Sequence, residues 1–167
     1  MIKVRKIRED AIIPKRIGGR EKSAWIDLNI VAVSVNGDLL KPLQLVKSDG
    51  TKERIVEYRF GDTVTLHTGL AIELSSSTKE GRLLPRSSTF GKTGLLMTNS
   101  EGIIDYSYKG NEDEWMGKFF ATRDGYIVLG ERYLQFREID SMEDKEILEV
   151  NQLNSPNRNG FGSTGGK

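Results

Sequence analysis

The chain has 167 residues, with 25 Lys and Arg against 24 Asp and Glu, one histidine and no cysteine. That inventory removes disulfide frameworks, thiolate zinc sites, multi-histidine metal centres and cysteine nucleophiles, and leaves oxygen ligands and a metal such as magnesium. A net charge of +1 spread along the chain gives no basis for a nucleic-acid or anionic-membrane partner. With no apolar run near the ~20 residues of a membrane helix, the expectation is one cytoplasmic domain.

Taken in chain order, the predicted elements are strands. Period-2 alternation marks Ile2-Val4, then Ile26-Leu28-Ile30, then Arg54-Val56-Tyr58-Phe60. The longest run places Val64, Leu66, Thr68, Leu70, Ile72 and Leu74 on one face. His67 falls on the opposite face, where a lone histidine reads as surface or packing rather than as a ligand. A short turn of helix fits Ser87 to Lys92, and alternation returns over Tyr133 to Ile139. Asn36-Gly37, Asp49-Gly50, Gly61-Asp62, Glu80-Gly81 and Asp124-Gly125 supply turns about every ten residues, the spacing of an all-β sandwich or barrel. The charged stretch Asp140 to Glu146 reads as a solvated face or turn.

Three stretches depart from alternation. "PRSSTFGKTG", Pro85 to Gly94, sets an arginine and two hydroxyls in a glycine-punctuated turn, which suits phosphate oxygens or simply a solvated strand end. "TNSEGIIDYSYKG", Thr98 to Gly110, roots Asp105 beside two isoleucines with Tyr108 three residues on. This reads either as a general base with an aromatic floor for a sugar or as a plain hairpin. "NRNGFGSTGGK", Asn157 to Lys167, is too poor in apolar residues to form core, yet it carries Arg158, Phe161 and a Gly-Ser-Thr-Gly run able to form an anion-binding nest. Its spacing is wrong for a phosphate-binding loop of the NTPase type.

Read together and in order, these stretches resemble the trimeric dUTPase (deoxyuridine triphosphate nucleotidohydrolase) family, whose five motifs all have counterparts here. They are "AWIDL" (Ala24 to Leu28), "PRSSTFGKTG", "NSEGIIDYSYKG" (Asn99 to Gly110), "GERYLQF" (Gly130 to Phe136) and "RNGFGSTG" (Arg158 to Gly165). The resemblance implies a jelly-roll-like β-clip barrel over residues 1–153, a mobile C-terminal arm over 154–167 and a homotrimer whose active sites are shared between chains. It implies hydrolysis of dUTP to dUMP and pyrophosphate with Mg²⁺, with Asp105 as catalytic base and Asp27 meeting the metal through water. Substrate would be held by Arg86, Ser87, Ser88, Asn99, Gly102, Ile104, Tyr108, Lys109 and Gln135, and by Arg158, Phe161, Gly162, Ser163 and Thr164 of the arm.

The chain departs from the family pattern in places. Trp25 and Ile26 stand where a glycine and an aromatic are usual, Lys109 replaces a common arginine, and the spacing from Arg158 to Phe161 is two residues short. Residues 46–57 look like an insertion, whose simplest reading is a solvated hairpin. These mark a divergent subgroup, viral members included. Two other functions compete. A dCTP deaminase shares the fold but needs a glutamate and a different third motif, and a regulator-binding protein would use the insertion.

Overall fold

The structure, a computed structural model, describes residues 1–19 and 21–157. In chain order its elements are β1 (Lys3–Lys6), β2 (Ile26–Asn29), β3 (Ala32–Val35), β4 (Asp38–Leu39), β5 (Leu43–Val46), β6 (Lys52–Tyr58), β7 (Thr63–Glu73), β8 (Lys79–Pro85), α1 (Thr89–Thr93), β9 (Leu95–Met97), β10 (Gly102–Ile104), β11 (Glu114–Ala121), β12 (Gly125–Val128) and β13 (Arg132–Asp140). Among the described residues the regular structure is all β apart from one short helix. The last regular element ends at Asp140, and residues 141–157 carry none. Among the described residues no helix is long and apolar enough to cross a membrane.

Every strand pair is antiparallel. One sheet runs β4-β3-β7-β11-β9, with β1 also pairing with β7. A second runs β10-β8-β13-β2, and a third β12-β6-β5. The inward faces meet in one core, where Trp115, Phe119, Phe136, Leu28, Leu66, Leu83 and Ile127 are each fully buried. Each such large side chain contributes about 1.5–3 kcal/mol relative to staying in water. Trp115 and Phe136 pack edge to face with centroids 5.2 Å apart, which ties the first sheet to the second.

The long alternating run forms β7 as its sequence predicts, and its one polar member is satisfied: buried Thr68 donates its hydroxyl to the Trp115 carbonyl at 2.6 Å. The second half of β7 differs from a half-buried strand, because Gly69 and Ala71 are buried as well. The segment after β1 folds over that face, and the Ile7 amide donates to the Gly69 carbonyl at 2.8 Å. Gly69 has φ +69°, and a Cβ there would meet Ala11 and Val31 at 3.0 Å. Only glycine fits both the torsion and the gap.

Residues 46–57 are a hairpin, β5 turning into β6, but they are no surface appendage. Val56 and Ile55 are buried, the second half of β6 (Ile55 to Tyr58) pairs with β12, and the Tyr58 hydroxyl donates to the Thr93 carbonyl at 2.7 Å. The solvated part is β5 and the turn; the returning strand belongs to the core.

Candidate active site

β8 and β10 position the third motif. β10 runs antiparallel to β8 with Gly102 opposite Leu83 and Ile104 opposite Gly81. The strands approach closely because Gly102 has no side chain: a Cβ would sit 3.1 Å from that of Leu83. Beyond β10 the chain turns, the Tyr108 amide donating to the Asp105 carbonyl at 3.0 Å, which fixes carboxylate and phenol in one loop. Asn99, Gly102, Ile104, Asp105 and Tyr108 border one cavity of about 560 Å³, closed by Trp115 and Met116 of β11. That is the size and mixed polarity of a small-ligand site.

Tyr108 is held at its far end too, its hydroxyl donating to the Glu114 carbonyl at 3.1 Å. Burial, followed by the carboxylates of Asp113 and Glu114, pushes the phenol up, so it stays protonated and a donor at neutral pH. Lys109 is not brought to this cavity. Its ammonium lies over the Tyr106 ring, 3.6 Å from the centroid, on the side of Lys3 and Glu73.

The first, second and fourth motifs meet elsewhere. β13 lies between β8 and β2, with Gln135 opposite both Leu84 and Asp27. The Asp27 carboxylate accepts from Arg86 Nε at 3.0 Å on one oxygen and from Arg132 Nη1 at 3.1 Å on the other. Arg86 Nη1 donates further to the Arg132 carbonyl at 3.3 Å, and Gln135 Nε2 to the Pro85 carbonyl at 3.1 Å. Two guanidinium groups share one carboxylate, so the cluster carries a net charge of about +1 on half-buried, oriented side chains, chemistry suited to an anion. Ser88 is the N-cap of α1 and Ser87 precedes it, both beside Arg86. Arg132 is a residue that the sequence reading missed.

The cavity and the arginine cluster stand apart. Ile104, just before Asp105, pairs with Gly81, whereas Arg86 follows the other end of β8. Five residues of extended chain separate Gly81 from Arg86, roughly 16 Å at about 3.3 Å per residue. Arg86, Ser87, Ser88, Gln135 and Asp27 do not border the cavity.

For a metal the donor set is thin. Among the described residues no group of three or more His, Asp or Glu could hold an ion. Both oxygens of Asp27 already face arginines. A hard cation brought by a polyphosphate would have to meet Asp27 through water. Arg158, Phe161, Gly162, Ser163 and Thr164 lie outside the described residues.

No family model matches the chain. It is 35% identical over 153 residues, 91% of each chain, to the SPbeta prophage-derived deoxyuridine 5'-triphosphate nucleotidohydrolase YosS of Bacillus subtilis. It is 30% identical, over 98% of this chain and 97% of the other, to the deoxyuridine 5'-triphosphate nucleotidohydrolase of a Hydrogenobaculum species. The dUTPase of Staphylococcus bacteriophage 80alpha, solved with dUPNHPP, shares the fold with a TM-score of 0.66 at 19% identity, covering 99% of this chain and 98% of that one. By sequence along nearly its whole length, the chain belongs to the dUTPase family.

Proposed function

We propose that the chain hydrolyses dUTP to dUMP and pyrophosphate. The observation that carries this reading is the pair of half-sites on β8: a nucleoside-sized cavity holding Asp105 and Tyr108, and a cationic cluster of Arg86 and Arg132 oriented by Asp27. In the cavity the backbone near Asn99 reads the uracil edge, and Tyr108 lies under the deoxyribose and leaves no room for a 2′-hydroxyl. Asp105 accepts a proton from a water lying in line with the α-phosphorus. The water oxygen bonds to that phosphorus as the bond to the α,β-bridging oxygen breaks, and pyrophosphate leaves. Arg86, Ser87, Gln135 and Arg132 hold phosphate oxygens and offset the charge that develops on them. Magnesium on the triphosphate would supply further charge neutralisation, with Asp27 oriented to its water shell.

The site is completed between chains. Asp105 lies toward the Gly81 end of β8 and the arginine cluster of the same chain beyond the Pro85 end, which favours a site whose two halves come from different chains. A homotrimer in which each cavity faces a neighbour's cluster provides such a site. Exposed Phe60, Phe90, Leu96 and Phe120 offer apolar surface for such an assembly. Pyrophosphate release measured with dUTP, dTTP, dCTP and UTP tests the reading: dUTP is turned over far faster than the others. No release from dUTP overturns it, and ammonia release from dCTP would put a deaminase in its place.

A further inference from the structure

A chain of hydrogen bonds outside the five motifs ends on Tyr108. Ser34 Oγ of β3 lies 2.9 Å from His67 Nε2 of β7, and His67 Nδ1 lies 3.0 Å from Glu114 Oε2 at the start of β11. The other Glu114 oxygen accepts from the Gly69 amide at 2.7 Å, and the Glu114 carbonyl accepts from the Tyr108 hydroxyl at 3.1 Å. The arrangement of serine, imidazole and carboxylate is that of a nucleophile relay. However, Ser34 is buried and does not border the cavity that holds Asp105, so this serine is not placed to attack a substrate there. Its other end does reach one, because Glu114 borders the cavity that holds Asp105.

We propose that Glu114 and His67 are positioning residues that set the height of Tyr108, and through it the discrimination against a 2′-hydroxyl; this rests on the reading of Tyr108 as the sugar-facing residue. The geometry supports it in three ways. Glu114 sits at an irregularity of the β11–β7 register, between Glu114 and Met116, where ladder pairing alone does not fix its backbone. Both of its side-chain oxygens are instead tied to β7, one through a backbone amide and one through an imidazole that β3 orients. The carbonyl so fixed is the acceptor for the phenol, and the same loop carries Asp105. His67 donates Nδ1–H to Glu114 and meets the Ser34 hydroxyl at Nε2, so both ring nitrogens have partners.

The test compares kcat/KM for dUTP and UTP in wild type and variants, with melting temperature measured on each. His67→Leu removes the donor to Glu114. By the usual worth of one hydrogen bond, the dUTP-to-UTP ratio should fall about 3- to 10-fold. His67→Asn, whose amide can place an N–H near the Nδ1 position, should keep the ratio near wild type. Tyr108→Phe should lower it as His67→Leu does, and the double variant no further, because both cut the same linkage. A merely structural role would lower melting temperature and the activity on both nucleotides together and leave the ratio unmoved. That outcome in folded His67→Leu, an additive double variant or a wild-type ratio in Tyr108→Phe overturns the proposal. Should His67→Leu not fold, the Tyr108→Phe and His67→Asn ratios decide by the same criteria. Failure of wild type to turn over dUTP would instead overturn the proposed function.

Discussion

Asp27 on β2 and Arg132 on β13, 105 positions apart in sequence, form a 3.1 Å ion pair across the sheet, while the other oxygen of the same carboxylate holds Arg86 at 3.0 Å. The carboxylate aims the two cations and limits their mutual repulsion, so the pair can receive a polyanion without reorganising. Arg132→Ala removes one charge-assisted contact. It should lower kcat/KM for dUTP about 10- to 100-fold, with Arg132→Lys retaining part of it. Steady-state kinetics of the two variants are the measurement. Wild-type values for Arg132→Ala would take the residue out of the phosphate cluster.

Why Arg132 was not legible in the sequence follows from its strand. Gln135 is the register partner of Asp27, and even alternation puts a residue three positions away on the opposite face. The β13–β2 register shifts between Arg132 and Leu134, Tyr133 and Leu134 are both buried, and Arg132 turns to Asp27's side. A bulge of that kind leaves no pattern to read. β11 was hidden for a related reason. Its outward positions include Met116 and Phe120 and its inward ones Gly117, so hydrophobicity does not alternate even though burial does. By contrast β7 and β13 were readable because their inward residues are large and apolar. Part of the cavity was readable because a compact loop, Asn99 to Tyr108, supplies six of its residues from neighbouring positions. Glu114 and His67 had no such signal, since their significance lies in contacts between distant strands.

Glu114 predicts a pH dependence of stability. Burial raises its carboxyl, but the hydrogen bonds from His67 and the Gly69 amide, with the charges of His67 and Arg8, outweigh burial and hold it below its ordinary 4.5. A depressed folded-state value means that the unfolded chain takes up the proton first. The stabilisation is therefore present above about pH 4.5 and is lost as pH falls through the folded value. Melting temperatures of wild type and Glu114→Gln should differ by a constant amount near neutral pH and converge below about pH 4.5. A gap that stays constant into strong acid would show that the carboxylate is not stabilised in the fold.

Gly69→Ala should destabilise the chain. The torsion of +69° disfavours any Cβ, and Ala11, Val31 and Arg8 lie within 3.1 Å of where it would sit. Strain and crowding together should cost on the order of 1–3 kcal/mol, visible as a lowered denaturation midpoint. An unchanged midpoint would mean that the segment after β1 is free to move away.

Asp105→Asn should nearly abolish turnover while leaving dUTP binding in place. The amide keeps shape and hydrogen bonding but cannot take the proton of the attacking water, and losing a positioned base costs about 10²–10⁴-fold. Calorimetric binding measured beside single-turnover kinetics separates the two effects. Rates like those of wild type would remove Asp105 from the mechanism.

A site shared between chains would show itself most sharply in mixtures of dead proteins. Asp105→Asn chains have an intact arginine cluster and a dead cavity, and Arg86→Ala chains the reverse. Asp105 and Arg86 belong to opposite ends of β8, with Gly81 opposite the β10 residue that precedes Asp105. If each site joins one chain's cavity to the next chain's cluster around a ring of three, the outcome is fixed by counting. Going round any mixed trimer, there is one junction where an intact cavity meets an intact cluster, one where both are dead, and one between like chains. One site in three is thus restored whichever variant is in excess. Co-refolding the two proteins should recover activity up to about a third of wild type as mixed trimers form, and refolding either alone should recover none. A trimer that uses cavity and cluster from the same chain has no intact site in any mixture. Mixed trimers as inactive as their parents would therefore place both half-sites in one protomer, and the separation along β8 would have to close by a movement within the chain.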